Sequence, residues 1–179
     1  MRKGFTLVET LVAVSILTVA IAGPLAVSSL AISESQYARN QITASYLAEE
    51  AVESIRNLRD ANFIISNDWL TDLSPCDATT SLNQHCKLSS KISSANPSLA
   101  VTACTTGIAC PNLKYSDSDG FYSYESSGTT ESIFNRDIKI KKIGLSGSET
   151  NILITVTMTW PEKSGNQTYT LKSFLNKLQ

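Results

Sequence analysis

From Phe5 to Ile32 the chain is apolar almost without a break, and the only ionisable side chain in that run is Glu9. About 28 residues exceed the roughly 20 needed to cross a bilayer core, so the pattern predicts one spanning helix with length to spare. Gly23-Pro24 falls inside the run, and a proline there removes an amide donor and crowds the preceding turn, which predicts a kink or local melting. From Ser33 to about Asp60 the helix is expected to continue in amphipathic form. Ala44, Leu47, Ala48, Ala51, Val52, Ile55 and Leu58 follow three- and four-residue steps, while Ser45, Glu49, Glu50, Glu53, Ser54, Arg56 and Asn57 take the other side. Past Gly120 the period becomes two. Phe121–Tyr124 reads as a short strand and Ile133–Ile143 as a longer one, with Phe134, Ile138 and Ile140 on one face and Lys139 and Lys141 on the other. Asn151–Trp160 alternates most cleanly, placing Ile152, Ile154, Val156, Met158 and Trp160 on one side. A turn over 161–166 should return the chain through Gln167–Leu175, with Tyr169 and Leu171 inward.

These elements predict an α+β fold: a long N-terminal helix, its first half in a membrane and its second half packed on a C-terminal antiparallel β-sheet. Residues 5–32 form the apolar half, 33–60 the amphipathic half, 61–120 a cysteine-containing loop region and 121–179 the sheet. Between 61 and 120 the chain is rich in Ser, Thr, Asn and Asp and is interrupted by Pro75, Pro97 and Pro111, with a short helix or strand expected around Phe63–Leu73. A structureless stretch of that length needs ties. The total of 179 residues leaves room for one exported domain beside the membrane segment. A formal net charge of −1 argues against a generally basic nucleic-acid surface. Arg2 and Lys3, with no further basic residue before Arg39, place the N-terminus on the cytoplasmic side and the remainder outside.

Glu9 needs a reason, because a charged side chain at the bilayer centre costs roughly 2.5–3.5 kcal/mol on insertion scales. The residues Gly4-Phe5-Thr6-Leu7-Val8-Glu9, behind a short basic leader and ahead of a long apolar helix, resemble the processing signal of type IV prepilins and of type II secretion pseudopilins. The resemblance implies a leader of residues 1–4, cleavage between Gly4 and Phe5 by a membrane prepilin peptidase, and N-methylation of Phe5 by the same enzyme. It also implies that Glu9 neutralises the new ammonium, either its own or that of a neighbouring subunit, and so sets filament register. The pilin fold implied by that family matches the helix-on-sheet arrangement, and the family commonly carries a helix-breaking residue near the Gly23-Pro24 position. The LAEEAVESIRNLRD segment resembles minor pilins of the PilV-like kind. A secretory signal peptide cut after Ala20-Ile21-Ala22 is the main rival. It would leave Glu9 inside the hydrophobic region and ten more apolar residues unexplained. An unprocessed signal anchor explains the length but not the acid.

Four cysteines, at 76, 86, 104 and 110, allow three connectivities in an exported domain, and the local pairs Cys76 with Cys86 and Cys104 with Cys110 are favoured. Zinc is disfavoured because the spacings match no C-x2-C pattern, and His85 is expected in an exposed loop. Ser116-Asp117-Ser118-Asp119-Gly120 has the oxygens of a calcium loop but not its twelve-residue pattern, and reads as a turn. No metal and no cofactor are expected. Lys139, Lys141 and Lys142 read as solvated protection of a sheet edge rather than a nucleic-acid contact, and Trp160 and Phe121 as core or rim aromatics. With one histidine and no G-x-S-x-G or phosphate loop, no catalytic constellation can be assembled. The expected function is a structural subunit, a minor pilin of a type IV pilus. The alternatives are a pseudopilin of a type II secretion system, or a membrane-anchored adhesin that does not polymerise. Its expected partners are the prepilin peptidase and methyltransferase, other pilin subunits, the assembly platform and, before assembly, membrane lipid. The location expected is the bacterial cytoplasmic membrane, then a cell-surface pilus or periplasmic pseudopilus.

Overall fold

The computed structural model describes residues 4, 6–65, 68–76, 84–88, 101–104, 109–118, 120–124, 129–143 and 151–177. Helix α1 spans Leu7–Ile64, four residues beyond the expected end. Two compact units divide the chain, residues 1–40 and 41–179.

In the first unit every residue from Leu7 to Ile32 is exposed, so none of the long apolar run is covered by the chain itself. Its hydroxyls are satisfied internally: Thr10, Ser15, Thr18 and Ser29 donate to the carbonyls of Leu7, Val12, Ser15 and Ala26 at 2.8–2.9 Å. Such bonds let a helix carry hydroxyls into an apolar medium without an orphaned donor. Helix α1 passes through Gly23 and Pro24 without a break, so the local melting expected there is absent, and Ser28 donates to the Pro24 carbonyl at 2.8 Å.

In the second unit the predicted stripe is the core. Ala44, Leu47, Ala48, Ala51, Val52, Ile55 and Leu58 are all buried. Each buried Leu or Ile contributes about 1.5–3 kcal/mol. A seven-stranded antiparallel sheet supplies the rest: β1 (Cys86–Leu88), β2 (Val101–Ala103), β3 (Asn112–Ser116), β4 (Tyr122–Ser123), β5 (Thr129–Ile143), β6 (Asn151–Glu162) and β7 (Gly165–Asn176). Three of these strands precede residue 121, in the stretch the hydrophobic pattern leaves unread. Strand β5 starts four residues before Ile133, because its polar opening pairs with β3 through Lys114↔Glu131 and Tyr115↔Thr130. Opposed charges across a ladder stabilise such a register without any apolar alternation.

Strand β5 is the centre of the sheet. Ile138 is paired with Cys86 of β1 and with Val156 of β6, and Asn135 with Asn112 of β3 and Thr159 of β6. Strands β1 and β3 therefore share one edge of β5 while β6 occupies the other, so the lysines of β5 do not protect a free sheet edge. The hairpin of β6 and β7 is tighter than the sequence suggests. Pairing continues through Glu162↔Gly165, leaving Lys163-Ser164 as the turn, and Gly165 has φ of 115°. Pro161 is tolerated because the β5 ladder stops at Thr159, before its missing amide would be needed. Tyr169 and Leu171 are only half-buried and Leu175 alone on β7 is fully covered. Trp160 is core, at one end of an aromatic series with Phe134, Tyr122 and Tyr115 at centroid spacings of 5.0–6.2 Å; Phe121 is exposed.

One charged residue sits where the alternation calls for an apolar one. Arg136 lies in phase with Phe134, Ile138 and Ile140 and is 0% exposed. Its guanidinium donates to the Leu47 carbonyl of α1 at 3.1 Å and to the Leu88 carbonyl of β1 at 2.8 Å, and stands 3.6 Å from the Glu50 carboxylate. The Tyr124 ring lies 5.9 Å from it, and the Tyr124 hydroxyl donates to the Arg136 carbonyl at 3.0 Å. Arg136 thus ties helix, β1 and β5 together. A planar, always-charged fork suits that task, since it reaches several acceptors at once. At the helix end, Arg59 donates to the Asn176 carbonyl of β7 at 3.1 Å and to Asp60 at 2.7 Å.

Replacing Arg136 with Leu should lower unfolding free energy by about 2–4 kcal/mol, because it strands buried acceptors; chemical denaturation of the oxidised chain in detergent checks this. Glu50 gives a pH effect of defined sign. Burial raises its carboxyl above the ordinary 4.5, and the charge and hydrogen bond of Arg136 only partly oppose that. The folded chain therefore holds this proton to higher pH than the unfolded chain. Its contribution is present below 4.5 and lost as pH rises through the raised folded value. Glu50→Gln should flatten the segment of the melting-temperature profile that begins at the unfolded value of 4.5 and runs upward from it, read by calorimetry.

Candidate functional site

Helix α1 begins with an N-cap at Thr6. The Thr6 hydroxyl accepts the Glu9 amide at 3.3 Å, and the Thr10 amide bonds the Thr6 carbonyl at 3.2 Å, which starts the ladder. Thr6 and Glu9 are the first and fourth members of a T-x-x-E sequence, in which an acid three residues after the cap suits the unpaired amides of the first turn. Thr6 joins Glu9 as a residue of the helix start, a role its T-x-x-E spacing signals in the sequence. Both are exposed within the chain. Gly4 is exposed too, and a Cβ built on it would meet nothing within 4 Å. Among the described residues no packing demands glycine at that position. Phe5, the residue expected to carry the methyl group, and Met1–Lys3 lie outside the described residues, while Gly23 and Pro24 sit inside α1.

The chemistry-bearing residues of the second unit form a brace. Cys76 is bonded to Cys86 with Cα atoms 5.7 Å apart, and Cys104 to Cys110 at 5.4 Å. The first bridge fixes the 3₁₀ turn Thr71–Cys76, with Trp69 and Leu73 buried beside it, to β1. The second closes the approach from β2 to β3. Between them, the Cys104 amide donates to the His85 carbonyl at 2.7 Å and extends the β1–β2 ladder. Closing such loops limits the unfolded chain more than it adds contacts to the folded one. With their sulfurs joined, the four cysteines offer no thiolate to a metal.

His85 departs from the expected exposed loop position. Its Nδ1 stands 2.8 Å from Asp137 Oδ2, with the two side chains 20% and 17% exposed. No spacing in the sequence could reveal this pair, because 52 residues and a strand crossing separate its members. Ser116–Gly120 makes a turn as read: the Gly120 amide donates to the Ser116 carbonyl at 2.8 Å, and the Ser116 amide to the Phe121 carbonyl at 2.9 Å. Gly120 has φ of 72°, a left-handed conformation that favours glycine. Asp119 lies outside the described residues.

Among the described residues no group of three or more His, Cys, Asp or Glu side chains is placed to hold a metal ion. What the N-terminal unit offers chemically is an apolar rod with one acid in its first turn. The described residues contain one helix long and apolar enough to cross a membrane, with a mean hydropathy of 2.2 over its best window. No curated protein and no solved structure matches the chain at a significant level. Residues 1–23 match the family model of the prokaryotic N-terminal methylation motif, the segment that holds Gly4, Thr6 and Glu9. Proteins bearing that motif are structural subunits processed by a prepilin peptidase and assembled with other pilins. This chain carries the N-terminal signal of the type IV prepilin-like family, pilins and pseudopilins together.

Proposed function

We propose that this chain is a minor pilin, made as a membrane-inserted precursor and converted into a filament subunit. The prepilin peptidase cuts after Gly4 and the same enzyme methylates Phe5. The N-terminus faces the cytoplasm and the sheet-bearing unit faces outward, as the Arg2 and Lys3 leader supports. The observation that carries the reading is the join of a methylation motif to an apolar helix that the chain leaves wholly exposed. In lipid that surface is satisfied by acyl chains; in a filament it exchanges them for the flanks of identical or related helices, at little cost in apolar burial.

Glu9 then supplies the register. Removal of the leader creates an ammonium at Phe5, and a carboxylate one helical turn away, or on a neighbouring subunit, pairs with it in an apolar core where either charge alone would be costly. The reaction asks no more of Gly4 than a backbone open to an enzyme, which its empty surroundings support. The PilV-like pattern of residues 47–60 and the two disulfides favour a minor pilus subunit. A type II secretion pseudopilin shares the same N-terminal chemistry.

Two measurements test this. Intact-mass analysis of the chain recovered from a host with the processing enzyme should show N-methyl-Phe5 as the first residue; a retained Met1 or a start at Gly23 overturns the reading. Glu9→Gln keeps the length of the side chain while removing its charge, and Glu9→Val removes both. If the charge sets register, both variants should insert normally but fall about tenfold in sheared-filament immunoblots, equivalent to about 1.4 kcal/mol. Normal incorporation of Glu9→Gln would overturn the register role of the charge.

A further inference from the structure

A cleft of about 660 Å³ opens at one end of the sheet, where β3, β5 and the β6–β7 hairpin meet. Its polar side is a connected row. The Asn135 amide nitrogen donates to the Cys110 carbonyl and to Asn112 Oδ1, and the Asn112 amide nitrogen donates to Glu131 Oε1 at 3.3 Å. Both amide protons of Asn135 are spent, so its oxygen remains as an acceptor. Asn112 keeps one N–H, and the Glu131 carboxylate keeps acceptor capacity. Asn166, from the first residues of β7, adds a further amide. Ile133, 42% exposed, lies between Glu131 and Asn135 on the same face of β5, and Pro161 adds further apolar surface to the lining.

We propose that this cleft is a binding subsite for an uncharged carbohydrate chain. A sugar hydroxyl both donates and accepts, so two neighbouring hydroxyls are matched by an acceptor beside a donor, which the Glu131–Asn112–Asn135 row presents. The C–H face of a pyranose ring packs on aliphatic surface of the kind Ile133 and Pro161 provide. Electrostatics excludes other classes. Among the described lining residues there is no Lys, Arg or His to hold an anion, and Glu131 stands in register with Lys114 of β3 across the ladder. A calcium ion takes six to eight oxygens, usually with several carboxylates, whereas the lining holds one. The row is rigid before any ligand arrives, because Asn135 is anchored on the carbonyl of a disulfide-bonded cysteine. Pre-organised polar groups lose little freedom on binding.

The site is open, which points to weak single-site affinity, about a millimolar dissociation constant per subunit. Repetition along an assembly multiplies such a contact. Saturation-transfer NMR on the unassembled full chain in phospholipid nanodiscs tests the proposal without depending on filament formation; glycosidic detergents must be avoided. The probes are neutral tetrasaccharides of glucose, galactose, mannose and N-acetylglucosamine, with a neutral tetrapeptide as comparison. At least one tetrasaccharide should bind saturably, unchanged by EDTA, and Glu131→Gln and Asn166→Ala should each weaken it about tenfold while leaving the circular dichroism spectrum intact. Both replaced side chains are exposed, and Glu131→Gln keeps the oxygen that accepts from Asn112, so the fold should survive each substitution. Absence of saturable binding by all four sugars, binding abolished by EDTA, binding of the peptide alone, or sugar binding indifferent to both substitutions would overturn it.

Discussion

The structure depends on apolar surface that the chain makes and does not bury. From Leu7 to Ile32 no side chain is covered, and residues such as Leu7, Val19 and Val27 are 78%, 75% and 68% exposed. A soluble protein tolerates scattered apolar residues at its surface, but not a continuous rod of them. The rod therefore has to meet lipid or similar rods. Its local details agree with that: Thr10, Ser15, Thr18, Ser28 and Ser29 turn their hydroxyls back onto the helix backbone, and the one acid sits in the first turn, where free amides and the helix dipole are favourable to it.

The second unit meets the opposite demand, to bury one stripe of a helix against one face of a sheet. Small residues, Ala44, Ala48 and Ala51, make up much of that stripe, and larger ones on β5 and β6 fill the space above them. A purely apolar contact of this kind specifies area better than position. Arg136 supplies position. By fixing the Leu47 carbonyl and the Leu88 carbonyl to one guanidinium, it couples a particular turn of α1 to a particular residue of β1. Removing this cation alone strands its acceptors, but compared with a wholly apolar packing its desolvation offsets much of what it gains, so its retention is better understood as selecting one packing over its neighbours.

Legibility followed the strength of the periodic signal. The helix stripe over Ala44–Leu58 and the alternation over Ile152–Trp160 could be read because burial on one side imposes a period on the residues themselves. Strands β1, β2 and β3 could not, since three to five residues hold less than two full alternations and their ladders rest on partners far along the chain. The His85–Asp137 contact and the Arg136 clamp were invisible for the same reason: both are tertiary coincidences of residues that look like solvated charges locally. Yet Arg136 left a trace, because it occupies the apolar parity of β5. The N-terminal signal was readable almost entirely, as its chemistry lies within one helical turn of contiguous sequence; the cap at Thr6 was there to be found by the same rule.

That contrast separates two kinds of functional information in the chain. An enzyme that cuts and methylates an N-terminus acts on a local segment, so the requirement is written contiguously and survives in a match of 23 residues even where no whole-chain relative matches. A surface that recognises a ligand is assembled from distant strands, so it leaves no contiguous trace. The cleft joins Asn112, Glu131 and Asn135 from β3 and β5 to Asn166 from β7, and its rigidity derives from a disulfide whose cysteines lie outside all three strands. The N-terminal motif constrains how the chain is processed and what its apolar helix meets, but it places no demand on the end of the sheet. Chemistry at that end is therefore open to vary between chains that share the same N-terminal signal, and only the folded arrangement of side chains discloses it.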